Sequence, residues 1–450
     1  MRQLSQIPPI EKLLNLPEIE AYFTLLSRTI VAEIVKTQVK EYRNELVQTN
    51  QSVDITLLLD KILVKLAYQN KIRIQPIINA TGIVVHTNLG RSPLPKAIWQ
   101  EVGDIVCNYS NLELNLLNGK RGNRMGLLNQ VLQAYFGGES SIIVNNNAAA
   151  LHLILKTFAE GKEVIVSRGE QIQIGGGFRI PDILADSGAI LRDVGTTNIT
   201  TIDDYLNAIN DNTAIVLIVH QSNYYIEGFS QHVDIKQLAA NLPEHVMLVI
   251  DQGSGNHLAA IPSELSVNNY LKIEPDLICF SGDKILGGPQ SGIILGKKDK
   301  INKLSKHPMM RVLRPGKETY ALLEKILIHR LNRDGKADNS VELLINQPLS
   351  WHLARAKQLA DIAPEKLVLK ATKFMVGGGS TPRAQFDTWA ISINSNLHTS
   401  TLIERLRNNN PPIIGVIQND QVLLYPVTLS DEELSIVKDY LTILTTEIDF

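Results

Sequence analysis

Cysteine is scarce in this chain. Cys107 and Cys279 are the two among 450 residues. Two cysteines cannot staple a disulfide framework, and they suit a reducing compartment. No stretch approaches the roughly eighteen consecutive apolar residues of a membrane span. The opening MRQLSQIPPIEKLL has neither the apolar core nor the small-residue cleavage site of a secretory signal. A cytoplasmic location is expected. Neither sign of charge dominates: 44 Lys and Arg face 46 Asp and Glu, a net charge of −2. That excludes a general basic coat, so any contact with nucleic acid must be local. Neither GxGxxG nor GxxxxGK[ST] occurs, which argues against Rossmann dinucleotide and Walker nucleotide sites. A hydrolase elbow of the G-x-S-x-G type is missing too: Ser254 lies between Gly253 and Gly255, but Gln252 stands two before it.

What is present describes a globular chain. The hydrophobic fraction is 44% and the charged fraction 20%, enough apolar matter for ample cores. At about 150 residues per domain the length predicts roughly three. The first region, residues 1–74, reads as helices. Ile19, Tyr22, Phe23, Leu26, Ile30 and Ile34, then Val39, Tyr42 and Leu46, recur with a helical period. A second helix is predicted from about Asp54, a plausible cap, to Tyr68, with Leu57, Leu58, Ile62 and Leu66 as its stripe. Residues 1–75 carry ten basic and eight acidic side chains. On these features a packing or dimerisation module and an RNA-binding module remain equally open.

From residue 75 to about 317 the texture changes. Ser141–Val144, Glu163–Val166, Ala214–Val219, Val246–Ile250 and Asp276–Phe280 are apolar runs bounded by polar residues or glycine. Such runs fit strands buried on both faces of a mostly parallel sheet, with helices such as 148–158 between them. The fold class is α/β, and catalytic groups are expected at the carboxyl ends of the strands. A third region, 318–450, mixes helices such as Glu318–Leu331 with short strands such as Val422–Tyr425, in a smaller α+β domain. The Val376-Gly-Gly-Gly-Ser380 run reads as a loop or a close backbone approach.

Three features carry chemistry. Phe280-Ser-Gly-Asp-Lys284 places a lysine just past a strand end. Partial burial there would lower its pKa and make a nucleophilic amine. Asp251 ends another strand about thirty residues earlier, where a carboxylate can keep a pyridine nitrogen protonated. A helix cap is the plainer reading, and no His/Asp/Glu spacing around it supports a metal. Asn145-Asn146-Asn147-Ala148 lies where a strand gives way to a helix, a place for an anion, although simple capping needs only one asparagine. The order of phosphate turn, aspartate and lysine is that of fold-type I enzymes using pyridoxal 5'-phosphate (PLP). Arg91, Arg121, Arg124, Arg311 and Arg314 stand beside loops and have forks suited to phosphate-like anions.

These residues lie in longer runs: Ile78-Asn-Ala-Thr-Gly82, His86-Thr-Asn-Leu-Gly-Arg91, Tyr109-Ser-Asn-Leu-Glu113, Lys120-Arg-Gly122, Val144 to Ala150 and Ser167-Arg-Gly-Glu170. Phe178-Arg-Ile-Pro-Asp182, Val194-Gly-Thr-Thr-Asn198, Ser222-Asn223, Phe280 to Lys284, Gly287-Gly-Pro-Gln290 and Gly377-Gly-Gly-Ser380 follow in order. Together they resemble the bacterial selenocysteine synthases, the L-seryl-tRNA(Sec) selenium transferases. The resemblance implies a fold-type I PLP enzyme with a helical N-terminal tRNA-binding domain. It implies Lys284 as the lysine that binds PLP covalently and shuttles protons, and Asp251 at the pyridine nitrogen. Asn146, Asn147, Ala148 and Ser281 fall in the region of the cofactor phosphate. Arg91, Arg121, Arg311 and Arg314 fall around the anionic donor or the tRNA end. It further implies seryl-tRNA(Sec) and selenophosphate as substrates, a bound aminoacrylate on the way to selenocysteinyl-tRNA(Sec), and a ring of dimers, a homodecamer.

Some positions depart from the family pattern. Gln252 stands where leucine is common, Asn115 and Leu117 where acids are frequent, and Pro315-Gly316 where Val-Asp is usual. The alternative is a fold-type I PLP lyase acting on a free phosphorylated small substrate, which the arginines fit equally well. Such an enzyme has little need of the N-terminal helices. A non-catalytic RNA-binding protein is disfavoured by the Asp251/Lys284 pair and the net charge. A persulfide-carrier role is not expected of either cysteine.

Overall fold

The computed structural model describes residues 6–49, 51–174, 177–221, 224–258, 261, 264–335, 340–377 and 384–447. The Ser222-Asn223 run and positions 378–380 of the glycine run lie outside them. The chain divides into two compact units, Met1–Pro76 and Ile77–Phe450.

The first unit is helical, with α1 (Ile10–Leu14), α2 (Pro17–Glu20), α3 (Phe23–Leu26), α4 (Arg28–Thr49) and α5 (Ile55–Ile72). The period starting at Ile19 predicts one continuous helix, but the backbone breaks at Ser27, whose φ is 68°. A non-glycine residue enters that region at a cost, so the helix restarts beyond it. Ser27 then starts α4 by accepting from Val31 N at 3.1 Å. Asp54 caps α5, accepting from Leu57 N at 3.2 Å. Val31, Val35, Val39 and Tyr42 of α4 meet Leu58, Ile62 and Leu66 of α5 in one core. The Tyr42 hydroxyl donates to Asp54 O and accepts from Asp54 N, both at 2.9 Å, and so locks the cap to the neighbouring helix.

In the second unit the strands are, in order, β1 (Ile78–Asn79), β2 (Ile83–Val85), β3 (Ser140–Val144), β4 (Glu163–Ser167), β5 (Gln173–Ile174) and β6 (Phe178–Arg179). Next come β7 (Ile190–Val194), β8 (Thr213–Val219), β9 (Met247–Gly253), β10 (Leu277–Ser281) and β11 (Gly292–Gly296). Last are β12 (Leu367–Gly377), β13 (Gln385–Ile393), β14 (Ile413–Ile414), β15 (Val416–Gln418) and β16 (Gln421–Leu424). Seven form the main sheet in the order β3-β11-β10-β9-β8-β4-β7. It is parallel except for β11, which runs antiparallel to both its neighbours. All five apolar runs singled out in the sequence are strands of this sheet.

Helices cover both faces of the main sheet, as continuous apolar strands require. The helices α6 (Lys96–Cys107), α7 (Leu128–Phe136) and α8 (Asn147–Phe158) precede β4. On one face Leu132 and Phe136 of α7, with Leu323 and Leu327 of the helix Lys317–Asn332, pack on Ile218, Ile250 and Phe280. On the other, Leu151 and Ile154 of α8 pack on Val166, Leu217 and Val249. Each such side chain contributes about 1.5–3 kcal/mol on full burial.

A second sheet has the order β15-β16-β13-β12-β2. Residues 78–85, on the N-terminal side of the large region, therefore pair with C-terminal strands: β2 with β12 and β1 with β14. Gly82 (φ 74°) allows this, because a Cβ there would lie 2.4 Å from the Tyr425 ring. Among the described residues no helix is long and apolar enough to cross a membrane.

Candidate functional site

Three strands of the main sheet end at the same place. At the end of β3 the turn Asn145-Asn146 leads into α8, and the Asn146 side chain caps it by accepting from Ala149 N at 2.9 Å. The first N–H groups of a helix have no partner within it, so those of Asn147 and Ala148 face outward from a positive helix end. At the end of β9, Asp251 is 6% exposed. Its Oδ1 accepts from Asn147 Nδ2 at 2.8 Å, and the Cys279 thiol lies 3.8 Å away. The other atom of the Asn147 amide, Oδ1, is buried without a partner among the described residues.

Lys284 follows β10 and donates from Nζ to the carbonyl of Gly253, the last residue of β9, at 3.1 Å. Burial lowers its ammonium pKa, and Arg91 adds to the effect; Asp251, Asp283 and Glu264 pull the other way. Asp251 moves upward by burial, opposed by the Asn147 hydrogen bond and by the charge of Lys284. The lysine and the aspartate are thus electrostatically coupled. Ser281 is buried one residue before the Gly282 turn. Its strand partner Gly292 has the Asn146 carbonyl where a Cβ would be, at 2.1 Å. Glycine at 292 therefore draws the asparagine turn against the lysine-bearing strand.

The arginines separate into two groups. Arg121, Arg124, Arg311 and Arg314 line one cavity of about 750 Å³, together with Lys298 and His307. The Glu113 carboxylate is shared among three of them: Arg124 at 2.5 Å, Arg121 at 3.1 Å and Arg314 at 3.5 Å. The Arg124 bond, first of these causes, holds Glu113 below the usual carboxylate range. With one carboxylate among so many cations, the cavity suits an anion. The bond from Asn145 N to Leu313 O, 2.8 Å, joins this arginine segment to the α8 turn. Arg91 is elsewhere. It lines a cavity of about 410 Å³ with Asp283 and pairs with Asp283 Oδ2 at 2.5 Å.

The structure thus brings Lys284, Asp251, Asn146, Asn147, Ala148 and Ser281 to one strand-end cluster. It puts Arg121, Arg311 and Arg314 in a separate cavity, linked to the cluster through the Asn145 N to Leu313 O bond, and Arg91 on the Asp283 side. Glu113, Asp283 and Glu264 carry charge into the site and were not singled out as site residues. Asp283 adjoins the lysine, and Glu113 closes the Asn-Leu-Glu run, so position alone could have raised both. The departures are accommodated locally. Asn115 Oδ1 accepts from Leu117 N at 2.9 Å, Leu117 is exposed, and the Pro315 carbonyl accepts from Arg124 at 3.4 Å. Cys107 is exposed and Cys279 buried. Among the described residues no cluster of His, Cys, Asp and Glu could hold a metal.

Comparison with known proteins finds relatives over nearly the full length of the chain. A family profile described as L-seryl-tRNA selenium transferase matches residues 77–430. The L-seryl-tRNA(Sec) selenium transferase of Aquifex aeolicus (strain VF5) is 39% identical over 446 residues, covering 97% of each chain. That of Sulfurimonas denitrificans is 39% identical over 442 residues, covering 96% of each. Among solved structures, a D-glucosaminate-6-phosphate ammonia-lyase matches with a TM-score of 0.59 over 83% of this chain and 96% of that one. At 18% identity this likeness speaks for the fold alone, which is fold-type I.

Proposed function

The chain belongs to the L-seryl-tRNA selenium transferase family, and from that membership we infer that it converts seryl-tRNA(Sec) to selenocysteinyl-tRNA(Sec), with PLP as cofactor and selenophosphate as donor. The observation that carries this is the cluster of Lys284, Asp251 and Asn147, tied through the Asn145 N to Leu313 O bond to a segment bearing Arg311 and Arg314.

The residues present fit PLP. Asp251 is a buried carboxylate opposite which a protonated ring nitrogen would sit, and Asn147 holds its Oδ1 in place. The start of α8 offers N–H groups to a phosphate. When bound, PLP supplies an electron sink for the α-carbon of the seryl group. The remaining work belongs to the chain. The lowered ammonium pKa of Lys284 leaves more free amine at neutral pH, so Nζ would hold the cofactor and, once displaced by the substrate amine, would be free to take and return the α-proton. Arg121, Arg311 and Arg314 would orient the anionic donor for addition at the β-carbon, and Arg91 would face the substrate from the Asp283 side. The exposed Tyr109, Leu114, Leu116 and Leu117 offer a surface for a second copy, consistent with a ring of dimers, a homodecamer, in the cytoplasm.

The test is turnover of seryl-tRNA(Sec) with selenophosphate by the purified protein, alongside free L-serine and phosphorylated small substrates. Conversion of the charged tRNA, abolished in Lys284→Ala, is expected. Turnover of free phosphorylated substrates without the tRNA would establish the lyase instead.

A further inference from the structure

One buried polar group near Lys284 has entered the account above only through its charge. Glu264 is 9% exposed, and Gln252 and Ser254 are fully buried. A single carboxylate oxygen, Glu264 Oε1, gathers three side chains. Gln252 Nε2 donates to it at 2.7 Å, Ser254 Oγ also donates, and His220 Nε2 lies 3.1 Å away. Gln252 Nε2 also donates to Ser254 Oγ at 2.7 Å, and Gly255 N donates to Gln252 Oε1 at 2.7 Å. Glu264 Oε2 has no partner among the described residues.

The backbones of the gathered residues support the site. His220 N donates to the Asp251 carbonyl at 2.9 Å. Gln252 and Ser254 flank Gly253, whose carbonyl receives Lys284 Nζ at 3.1 Å. The Ser254 carbonyl accepts from Ile285 N, next to the lysine, at 3.2 Å. Gln252, a departure from the family pattern, is therefore a working member of this knot. A buried network with a shared acceptor is rigid while satisfied and unstable once the acceptor is lost.

We propose that Glu264 is a positioning residue: one carboxylate oxygen ties His220, Gln252 and Ser254 together, and through their backbones fixes the Gly253 carbonyl and Ile285 amide between which Lys284 rests. This rests on the reading of Lys284 as the catalytic amine.

The test uses the full chain. Glu264→Leu removes the acceptor, whereas Glu264→Gln keeps a carbonyl oxygen in its place. In Glu264→Leu, kcat for seryl-tRNA(Sec) falls about tenfold or more with KM changed less than about twofold, because a displaced reacting group loses rate before binding. Glu264→Gln recovers most of that rate. A second readout needs neither cofactor nor turnover. Acetic anhydride labels lysines of the cofactor-free protein, and peptide mass spectrometry follows Lys284. Both variants lose the Glu264 charge that raises the Lys284 pKa, so the comparison is between them: labelling in Glu264→Leu is at least about threefold faster than in Glu264→Gln. If the leucine variant does not fold, Ser254→Ala takes its place, with the same directions and smaller size. A folded leucine variant with normal kcat and Lys284 labelling no faster than the glutamine variant's, or one with only a lower melting temperature, overturns the proposal. So does a glutamine variant as impaired as the leucine one. Lys284→Ala run in parallel separates the two failures, since turnover surviving in that variant overturns the catalytic lysine itself.

Discussion

Burial pushes up the carboxyl pKa of two acids, Glu170 just past β4 and Asp251 near the end of β9. Glu170 is 9% exposed and accepts from Val219 N at 2.9 Å. Burial outweighs that bond and raises its carboxyl from 4.5 to about 8. The folded chain therefore holds a proton there that the unfolded chain releases. This contribution to stability is full below about pH 4.5 and is lost as pH rises through about 8. Glu170→Gln keeps the acceptor and removes the titration, so its melting temperature should decline less than the wild type's between pH 5 and 8. Parallel declines would show Glu170 ionised throughout. Asp251 is displaced in the same direction, but Asn147 opposes the shift. Asn147→Ala removes that donor and should weaken PLP binding about ten- to a hundredfold, read by cofactor fluorescence, since losing a hydrogen bond to a charged group costs about 1.5–3 kcal/mol. At this scale the sequence was legible where chemistry follows from position. Asp251, Lys284 and the asparagine turn all stand at strand ends. Glu264 was not legible, because its partners His220, Gln252 and Ser254 come together only when β8 and β9 pair side by side.

Elements were legible in proportion to their burial. Strands β8 and β10 are buried at every position, so their sequences are unbroken apolar runs. The long pair β12 and β13 escaped notice, since LVLKATKFMVG mixes buried and exposed positions and carries two lysines. Their pairing with β16 and β2 supplies order that no local pattern states. The helix predicted through Ser27 failed for the opposite reason: a strong period hid a single backbone conformation. Close packing between elements gives a sharper test. Gly292→Ala would set a Cβ 2.1 Å from the Asn146 carbonyl, at the junction of β3, β11 and α8. Backbone cannot step aside as a side-chain tip can, so we expect a loss of about 1–3 kcal/mol in urea unfolding and weaker PLP binding. Gly103→Ala in α6 meets nothing within 4 Å and should gain about 0.5–1 kcal/mol, since alanine favours a helix interior.

At the scale of the whole chain, two units with separate cores divide the work we assign. The boundaries read from the sequence, 1–74, 75–317 and 318–450, remain our proposal for its functional parts. Within the second unit, β1 and β2 bind the C-terminal strands into one body with the main sheet. The first unit has its own core of Leu13, Ile19, Val35, Leu58 and Ile62. Lys284, Asp251 and the arginine cavity all belong to the second. A chain starting at Ile77 keeps every described residue proposed to hold PLP, so its cofactor affinity should stay within about twofold of the full chain's, as expected for contacts confined to a separate domain. If the helical unit grips the body of the tRNA, the same truncation loses the sequence-independent phosphate contacts that dominate nucleic-acid affinity. Its affinity for seryl-tRNA(Sec), measured by filter binding at fixed salt, should then fall about tenfold or more, and the salt dependence should flatten. Loss of PLP together with tRNA would mean that the first unit is needed to fold the second. Unchanged tRNA binding would move recognition into the second unit and return the helices to a packing or dimerisation role, the reading that their near-balanced charge left open.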